Sequence, residues 1–164
     1  MNQASLQVLL DKQEIYELLM RYCRAIDRCD EPLLRSVYHP DATDDHGGFK
    51  GKVPELYDWL STTLSGMKLT THNICNVLIE VEGDVAYGEA YFLAYHRIPG
   101  KEKDYDMLVG GRYIDRFERR DGVWKIAERR CVFDWNRNDP CTESRWPDGL
   151  LTGCRGPEDQ VYQR

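Results

Sequence analysis

The chain of 164 residues carries 22 Lys and Arg against 28 Asp and Glu, and 41% of it is hydrophobic. That length suits one domain with a real core, and that apolar share excludes wholesale disorder. The formal charge of −6 argues against nucleic acid as a partner, and with no apolar run of membrane length and no secretory leader pattern, a cytoplasmic protein without a membrane partner is expected.

Leu6, Leu9, Leu10, Ile15, Leu18, Leu19, Tyr22 and Ile26 recur at helical spacing and predict a long first helix with one apolar face. Asp30-Glu31-Pro32 starts a short second helix, which His39-Pro40 breaks. Pro54 opens a third through Leu56, Tyr57, Trp59, Leu60 and Leu64, with Gly66 as its stop. From His72 the period changes to two. Asn73 to Val81 reads as a strand with Cys75, Val77, Ile79 and Val81 on one side, and Glu82-Gly83-Asp84 turns it into Val85 to His96. In that second strand Tyr87, Tyr91, Leu93 and Tyr95 share a face. Met107 to Arg119 and Val123 to Trp135 follow, joined by Arg120-Asp121-Gly122. Helices first and an antiparallel meander after them predict an α+β domain, with helices laid across a curved sheet and a pocket between.

The chemistry-bearing residues are few. Asp27 ends the first helix and His72 opens a strand, which are the parts of a general base with its orienting carboxylate. Tyr22 lies on the apolar helix face, as core or as site. His46 follows two aspartates in a turn and is a candidate second acid/base. Arg129, Cys131, Phe133 and Trp135 share a strand parity, so a cavity facing Arg129 would also face the two aromatics. No metal site is expected, since His39, His46, His72 and His96 form no paired motif and the Asp44-Asp45-His46 corner lacks the spaced ligands zinc needs. Cys23, Cys29, Cys75, Cys131, Cys141 and Cys154 show no CxxC spacing and read as reduced thiols.

The helix-ending Asp, the D-D-H-G turn, the strand-opening His and the run Gly110-Gly111-Arg112-Tyr113 through Arg119-Arg120-Asp121-Gly122-Val123-Trp124-Lys125 together resemble the SnoaL-like branch of the NTF2-like superfamily, over about residues 5–135. The likeness is nearest to the group containing hexachlorocyclohexane dehydrochlorinase and bile-acid 7α-dehydratase. It implies a cone-shaped α+β barrel over residues 1–138 with an irregular arm at 139–164, a deep apolar cavity, no cofactor, and a homo-oligomer (dimer or trimer) built on the sheet's outer surface. It also implies His72 as catalytic base, Asp27 as its partner, and Tyr22, His46 or Arg129 near a leaving group. Arg129 falls on the dehydrochlorinase arginine, whereas the dehydratase arginine falls where this chain has Phe133. Tyr91, Tyr113, Phe133 and Trp135 are expected to contact substrate.

The implied reaction is a cofactor-independent elimination (loss of water or halide, or retro-aldol release of an aldehyde) from a bulky apolar or aromatic hydroxylated molecule. An isomerase or cyclase would use the same proton abstraction. A non-catalytic ligand carrier or a module like a dioxygenase small subunit is the other class, and such a module has no need of an acid-base pair. In the C-terminal run, Asp139-Pro140, Trp146-Pro147-Asp148-Gly149 and Arg155-Gly156-Pro157 signal turns. Trp146, Leu150 and Leu151 predict burial there, against a neighbouring subunit, over the cavity, or on the chain's own surface.

Overall fold

The computed structural model describes residues 3–142 and 146–163. Helix α1 (Gln3–Arg28) ends at Cys29, whose φ of 53° reverses the chain into α2 (Glu31–Val37). Asp30 caps α2, its Oδ1 accepting from the Leu33 N–H at 3.0 Å. Strands β1 (Tyr38–Asp45) and β2 (Lys50–Lys52) precede α3 (Val53–Ser65), which Gly66 caps. Four long strands follow: β3 (Leu69–Glu82), β4 (Val85–Ile98), β5 (Tyr105–Arg120) and β6 (Val123–Pro140). They form one open sheet in the order β2-β1-β6-β5-β4-β3, antiparallel except where β1 runs beside β6. Helix α1 touches both β3 at the sheet's edge and β6, two strands further in than β4, so the sheet curves around the helix. The predicted α+β class and its helix-on-sheet layering are what the chain adopts.

The hairpin run Arg119 to Trp124 has a mechanical role. Asp11 of α1 is buried and its Oδ1 accepts from Trp124 Nε1 at 3.0 Å and from Arg119 Nη1 at 2.7 Å. The turn that joins β5 to β6, with Asp121 and Gly122 at positive φ, thereby anchors the helix across the sheet. Leu6, Leu9 and Leu10 precede that anchor and are about half exposed (49%, 51% and 50%). The predicted apolar face thus packs only from Ile15 onward, because the first turns of α1 lie beyond the strands that would cover them.

Three further expectations are corrected by the strands. Asp44 and Asp45 end a strand that starts at Tyr38 rather than opening the predicted turn, which spans only His46 to Phe49 and is closed by the His46 N–H on the Phe49 carbonyl at 2.7 Å. On β3 a register shift between Ile74 and Val77 breaks the period: Thr70, His72 and Ile74 face the helices, Cys75 is exposed, and Val77, Ile79 and Val81 face inward again. On β4 the inner face is Ala86, Gly88, Ala90, Phe92 and Ala94, and the tyrosine parity faces out. The small residues leave room for neighbouring rings: a Cβ at Gly88 would sit 2.8 Å from Phe117. At Gly111 of β5, a Cβ would sit 2.7 Å from Phe92 and 2.3 Å from the Val132 carbonyl oxygen, so the sheet itself closes on this position.

Strand β6 runs on through Asp139-Pro140 instead of turning there. Beyond it, Trp146, Leu150 and Leu151 are 68%, 55% and 83% exposed, so they are buried neither over the cavity nor on the chain's own surface, and residues 143–145 of that stretch lie outside the described ones. The arm is tied down further along. Arg28 Nη1 donates to the Cys154 carbonyl at 2.8 Å, the Gly156 N–H to the Arg28 carbonyl at 2.8 Å, and the Tyr162 hydroxyl to Asp30 Oδ2 at 2.7 Å. Its end therefore clasps the α1–α2 corner of its own chain.

Candidate functional site

Asp27 is the penultimate residue of α1, and β3 is the sheet's edge. The backbone N–H of His72 points away from β4 and donates to Asp27 Oδ2 at 2.8 Å, while Asp27 Oδ1 stands 2.7 Å from His72 Nδ1. Burial alone would raise the Asp27 carboxyl, but the bonds from the His72 ring and backbone and from the Thr70 hydroxyl outweigh it and hold the group below its usual range. An ionised carboxylate only accepts, so Nδ1 carries the ring proton and Nε2 keeps its lone pair.

The His72 ring lines a cavity of about 210 Å³ between the helices and the concave sheet, walled mainly by apolar side chains that include Ile26, Trp59, Leu60, Phe92 and Val109. Two more imidazoles reach the same space. His46 Nδ1 lies 3.1 Å from Asp44 Oδ1, and Asp44 is buried with Oδ2 accepting from the Tyr38 hydroxyl at 2.8 Å. His96 meets His72 edge-on with ring centres 5.3 Å apart, and its Nδ1 is buried without a partner among the described residues. Burial, with the adjacent His72 and Arg155, pushes the His96 imidazole down to about 4 even though Asp27 pulls it up. His96 is neutral at pH 7 in the folded chain but titrates near pH 6.5 once unfolded. Its contribution to stability is therefore complete above pH 6.5 and is lost as the pH falls toward 4. In a His96→Gln variant the acid-side decline in denaturation midpoint should be shallower than in the parent, and parallel declines would refute this assignment.

Arg129 is fully buried and engages Asp115 with two bonds, Nε to Oδ1 at 2.8 Å and Nη2 to Oδ2 at 2.7 Å. Its guanidinium is clamped between the rings of Tyr22 and Tyr113, 4.2 and 4.1 Å from their centres. Burial would lower the Arg129 pKa, yet Asp115 raises it well above the ordinary value, while burial raises the Asp115 carboxyl against the pull of Arg129. Tyr22 and Tyr113 show one side to the arginine and also line the cavity; burial pushes both phenols up, so both are neutral. Arg129 stands behind those rings and outside the cavity lining. Tyr91 is on the sheet's outer face, 42% exposed, with Arg112 over its ring. Phe133 lines the cavity but Trp135 does not. A register shift between Gly110 and Gly111 sets Phe133 opposite Gly111 and Trp135 opposite Gly110, so the shared parity of Phe133 and Trp135 ends there. The Trp135 indole then covers the outer side of Gly110, where a Cβ would meet it at 2.4 Å.

The profile of the SnoaL-like domain family matches residues 7–130. This chain belongs to that family. An uncharacterized protein of Mycobacterium tuberculosis (strain H37Rv) is 30% identical over 128 residues, which are 76% of this chain and 86% of that one. Among solved structures, a type 2 hexachlorocyclohexane dehydrochlorinase superposes with a TM-score of 0.75 at 26% identity, covering 89% of this chain and 99% of its own. A candidate scytalone dehydratase from Novosphingobium aromaticivorans shares the fold, with a TM-score of 0.73 at 20% identity over 90% of this chain and 99% of that one. Within this SnoaL-like frame the structure brings Tyr22, His46, His72, Tyr113 and Phe133 to one cavity and leaves Arg129, Tyr91 and Trp135 off it. Sequence reasoning weighed Asp44 and His96 only as metal ligands and passed over Tyr38 and Thr70. A signal existed for His96, which shares the parity of Phe92 and Ala94; nothing in the polar run Tyr38 to Asp45 marks Asp44 as buried. Among the described residues no cluster of three or more His, Cys, Asp or Glu is arranged to hold a metal, and no helix is long and apolar enough to cross a membrane.

Proposed function

We propose that the protein is a cofactor-independent lyase that eliminates a small leaving group from a compact, largely apolar ring compound. The observation that carries this reading is the Asp27–His72 pair on the wall of an apolar cavity. His72 Nε2 takes a proton from carbon, the freed C–H electron pair becomes a carbon–carbon double bond, and the bond to the leaving group breaks. Asp27 stabilises the imidazolium that results. A halide departs as its anion, whereas a hydroxyl needs a proton to depart as water. His46, backed by Asp44, supplies that proton in its charged form. The dehydrochlorinase of similar fold supports elimination as the reaction class.

The cavity also bounds the substrate. A space of roughly 150 Å³ holds benzene, and drug-sized ligands occupy about 300 Å³ or more, so about 210 Å³ suits a single substituted ring better than a fused polycycle. Trp59, Phe92, Tyr113 and Phe133 offer it flat apolar walls.

The test is to incubate the purified chain with hydroxylated and halogenated single-ring compounds and follow formation of the unsaturated product by absorbance. Product formation by the parent and not by His72→Ala supports the lyase. Isomerised product without loss of a group makes it an isomerase on the same base, and binding without any conversion makes it a carrier. His46→Ala separates the two leaving-group routes: loss of water should slow by about 10²-fold, the scale of a positioned general acid, and loss of halide by less than about tenfold. Equal slowing of both would remove His46 from the acid role.

A further inference from the structure

The second imidazole of the cavity is held differently from the first. Asp44 lies in β1 and His46 just beyond its end, two residues on, so both side chains project to one side of the extended run. Asp44 Oδ1 is 3.1 Å from His46 Nδ1, and Oδ2 accepts from the Tyr38 hydroxyl at 2.8 Å. Asp44 and Tyr38 are each 1% exposed. Asp27 has a main-chain amide on one oxygen, whereas Asp44 has only these two side-chain donors among the described residues, one to each oxygen. A buried phenol needs some partner, and the atom it takes decides what it does. Tyr38 occupies the oxygen that His46 does not use, so the carboxylate cannot rotate without breaking one of its two bonds. Burial first, and the charge of Asp44 next, push the Tyr38 phenol up, so the hydroxyl keeps its proton and stays a donor. The main chain of His46 is fixed by its own turn, its N–H on the Phe49 carbonyl and its carbonyl accepting from the Gly48 N–H at 2.8 Å. Around the ring stand Trp59, Tyr113 and Phe133, with centres 6.0, 6.1 and 6.3 Å away. Among the described residues Asp44 is therefore the polar contact that selects which nitrogen faces the cavity.

We propose that Tyr38 is a positioning residue for His46: its hydroxyl locks the Asp44 carboxylate so that Oδ1 holds the His46 Nδ1 hydrogen and the ring turns Nε2 to the cavity. Tyr38 is not itself among the residues that line the cavity. It meets that lining through Asp44 at His46, and at Tyr22, edge-on with ring centres 6.2 Å apart. The protein thus carries two carboxylate–imidazole pairs of different build around one space, His72 set by a main-chain amide and His46 by a phenol. The part His46 plays in releasing water rests on the lyase reading; the positioning of its ring does not.

The experiment uses the full chain and two independent readouts. In ¹H–¹⁵N spectra taken without substrate, the parent should show a His46 Nδ1–H signal protected from exchange with water, assigned by its loss in His46→Ala. Tyr38→Phe keeps the ring and its contact with Tyr22 and removes only the donor. The His46 signal should then be lost to exchange, while the Nδ1–H signal of His72, on a separate carboxylate, stays as in the parent. On ring compounds that the parent converts, Tyr38→Phe should slow loss of water about tenfold at nearly unchanged KM, the scale of an outer contact that orients a reacting group. Loss of halide, which needs no proton, should slow far less. If Tyr38→Phe does not fold, the comparison moves to an Asp44→Leu background, where the same exchange strands no carboxylate and should slow loss of water no further. Further slowing there overturns the proposal, because Tyr38 would then act by another route. A folded Tyr38→Phe protein with the parent's His46 signal also overturns it, and so does equal slowing of water and halide loss, the mark of disturbed packing at Tyr22. A lost His46 signal with loss of water at the parental rate would instead leave the positioning standing and remove His46 from the acid role. Where the parent converts none of the compounds, the spectra alone decide.

Discussion

His72→Ala should lower turnover by about 10²-fold or more while the chain still folds, because the substitution removes the group that takes the proton and little of the core. The His72 side chain packs at an edge strand, and its backbone bond to Asp27 does not depend on the ring. Asp27→Asn should be nearly as damaging for a different reason. The amide keeps the shape but carries no charge to support the imidazolium, and its NH₂ can donate to Nδ1 and drive the ring proton to Nε2, where the base is needed. The double variant should be little slower than His72→Ala alone, since the two groups act as one unit. The measurement is kcat on whichever ring compound the parent converts, with circular dichroism to verify folding. Near-parent turnover by folded His72→Ala would transfer the protein to the ligand-carrier class.

Asp115→Ala carries the largest expected cost to stability. It strands the Arg129 guanidinium, which is fully buried with Nη1 already unpartnered among the described residues, without its counter-charge. Breaking one side of such a pair typically costs about 3–5 kcal/mol, a fall of roughly 6–20 °C in melting temperature for a chain of this size. Replacing both partners, Asp115→Leu with Arg129→Met, should recover most of that loss, because no charge is then left in the core. The comparison also isolates the arginine's role in chemistry. If the double variant melts like the parent and converts halogenated substrate at the parental rate, Arg129 is a scaffold that sets Tyr22 and Tyr113. A selective loss on substrates with anionic leaving groups would mean that its charge is felt through the two rings. An Asp115→Ala protein within about 1 kcal/mol of the parent would show that the pair is not confined as tightly as its geometry says.

What was legible in the sequence follows from which patterns survive folding. The shift from helical spacing to alternation near residue 70 located the meander, and a helix-ending Asp with a His near the start of a strand located the pair where α1 meets the edge strand. Parity failed where the strands bulge. One shift on β3 drops Cys75 out of the inner face, and another near Gly110 sends Trp135 to the outside while Phe133 stays in. Tyr91 was misplaced for a separate reason. The tyrosines of β4 lie on the outer face, because the inner one is built of alanine and glycine beside Phe92, with the Phe117 ring 2.8 Å from where a Cβ at Gly88 would sit. The strand Tyr38 to Asp45 was illegible because its inward side chains include His39 and Asp44, whose burial is made good by the Glu118 carbonyl, the Tyr38 hydroxyl and His46, partners far away or of the wrong type to form a pattern. The arm's attachment to its own chain was illegible because its anchors are polar bonds through Arg28, Asp30 and Arg155 and not its large apolar side chains.

The two oxygens of Asp27 are divided between a main-chain amide and a side chain. Half of the carboxylate's seat at position 72 is thus provided by the peptide bond, which every residue type other than proline presents alike. A change of side chain there alters the reagent while leaving its electrostatic support in place. The position works as a socket: a lineage can exchange the imidazole for another reactive group, or for none, without first rebuilding the helix end that faces it. If the proposed lyase reading holds, a single substitution at position 72 would separate a catalyst from a simple binder while the main-chain contact to Asp27 stays in place.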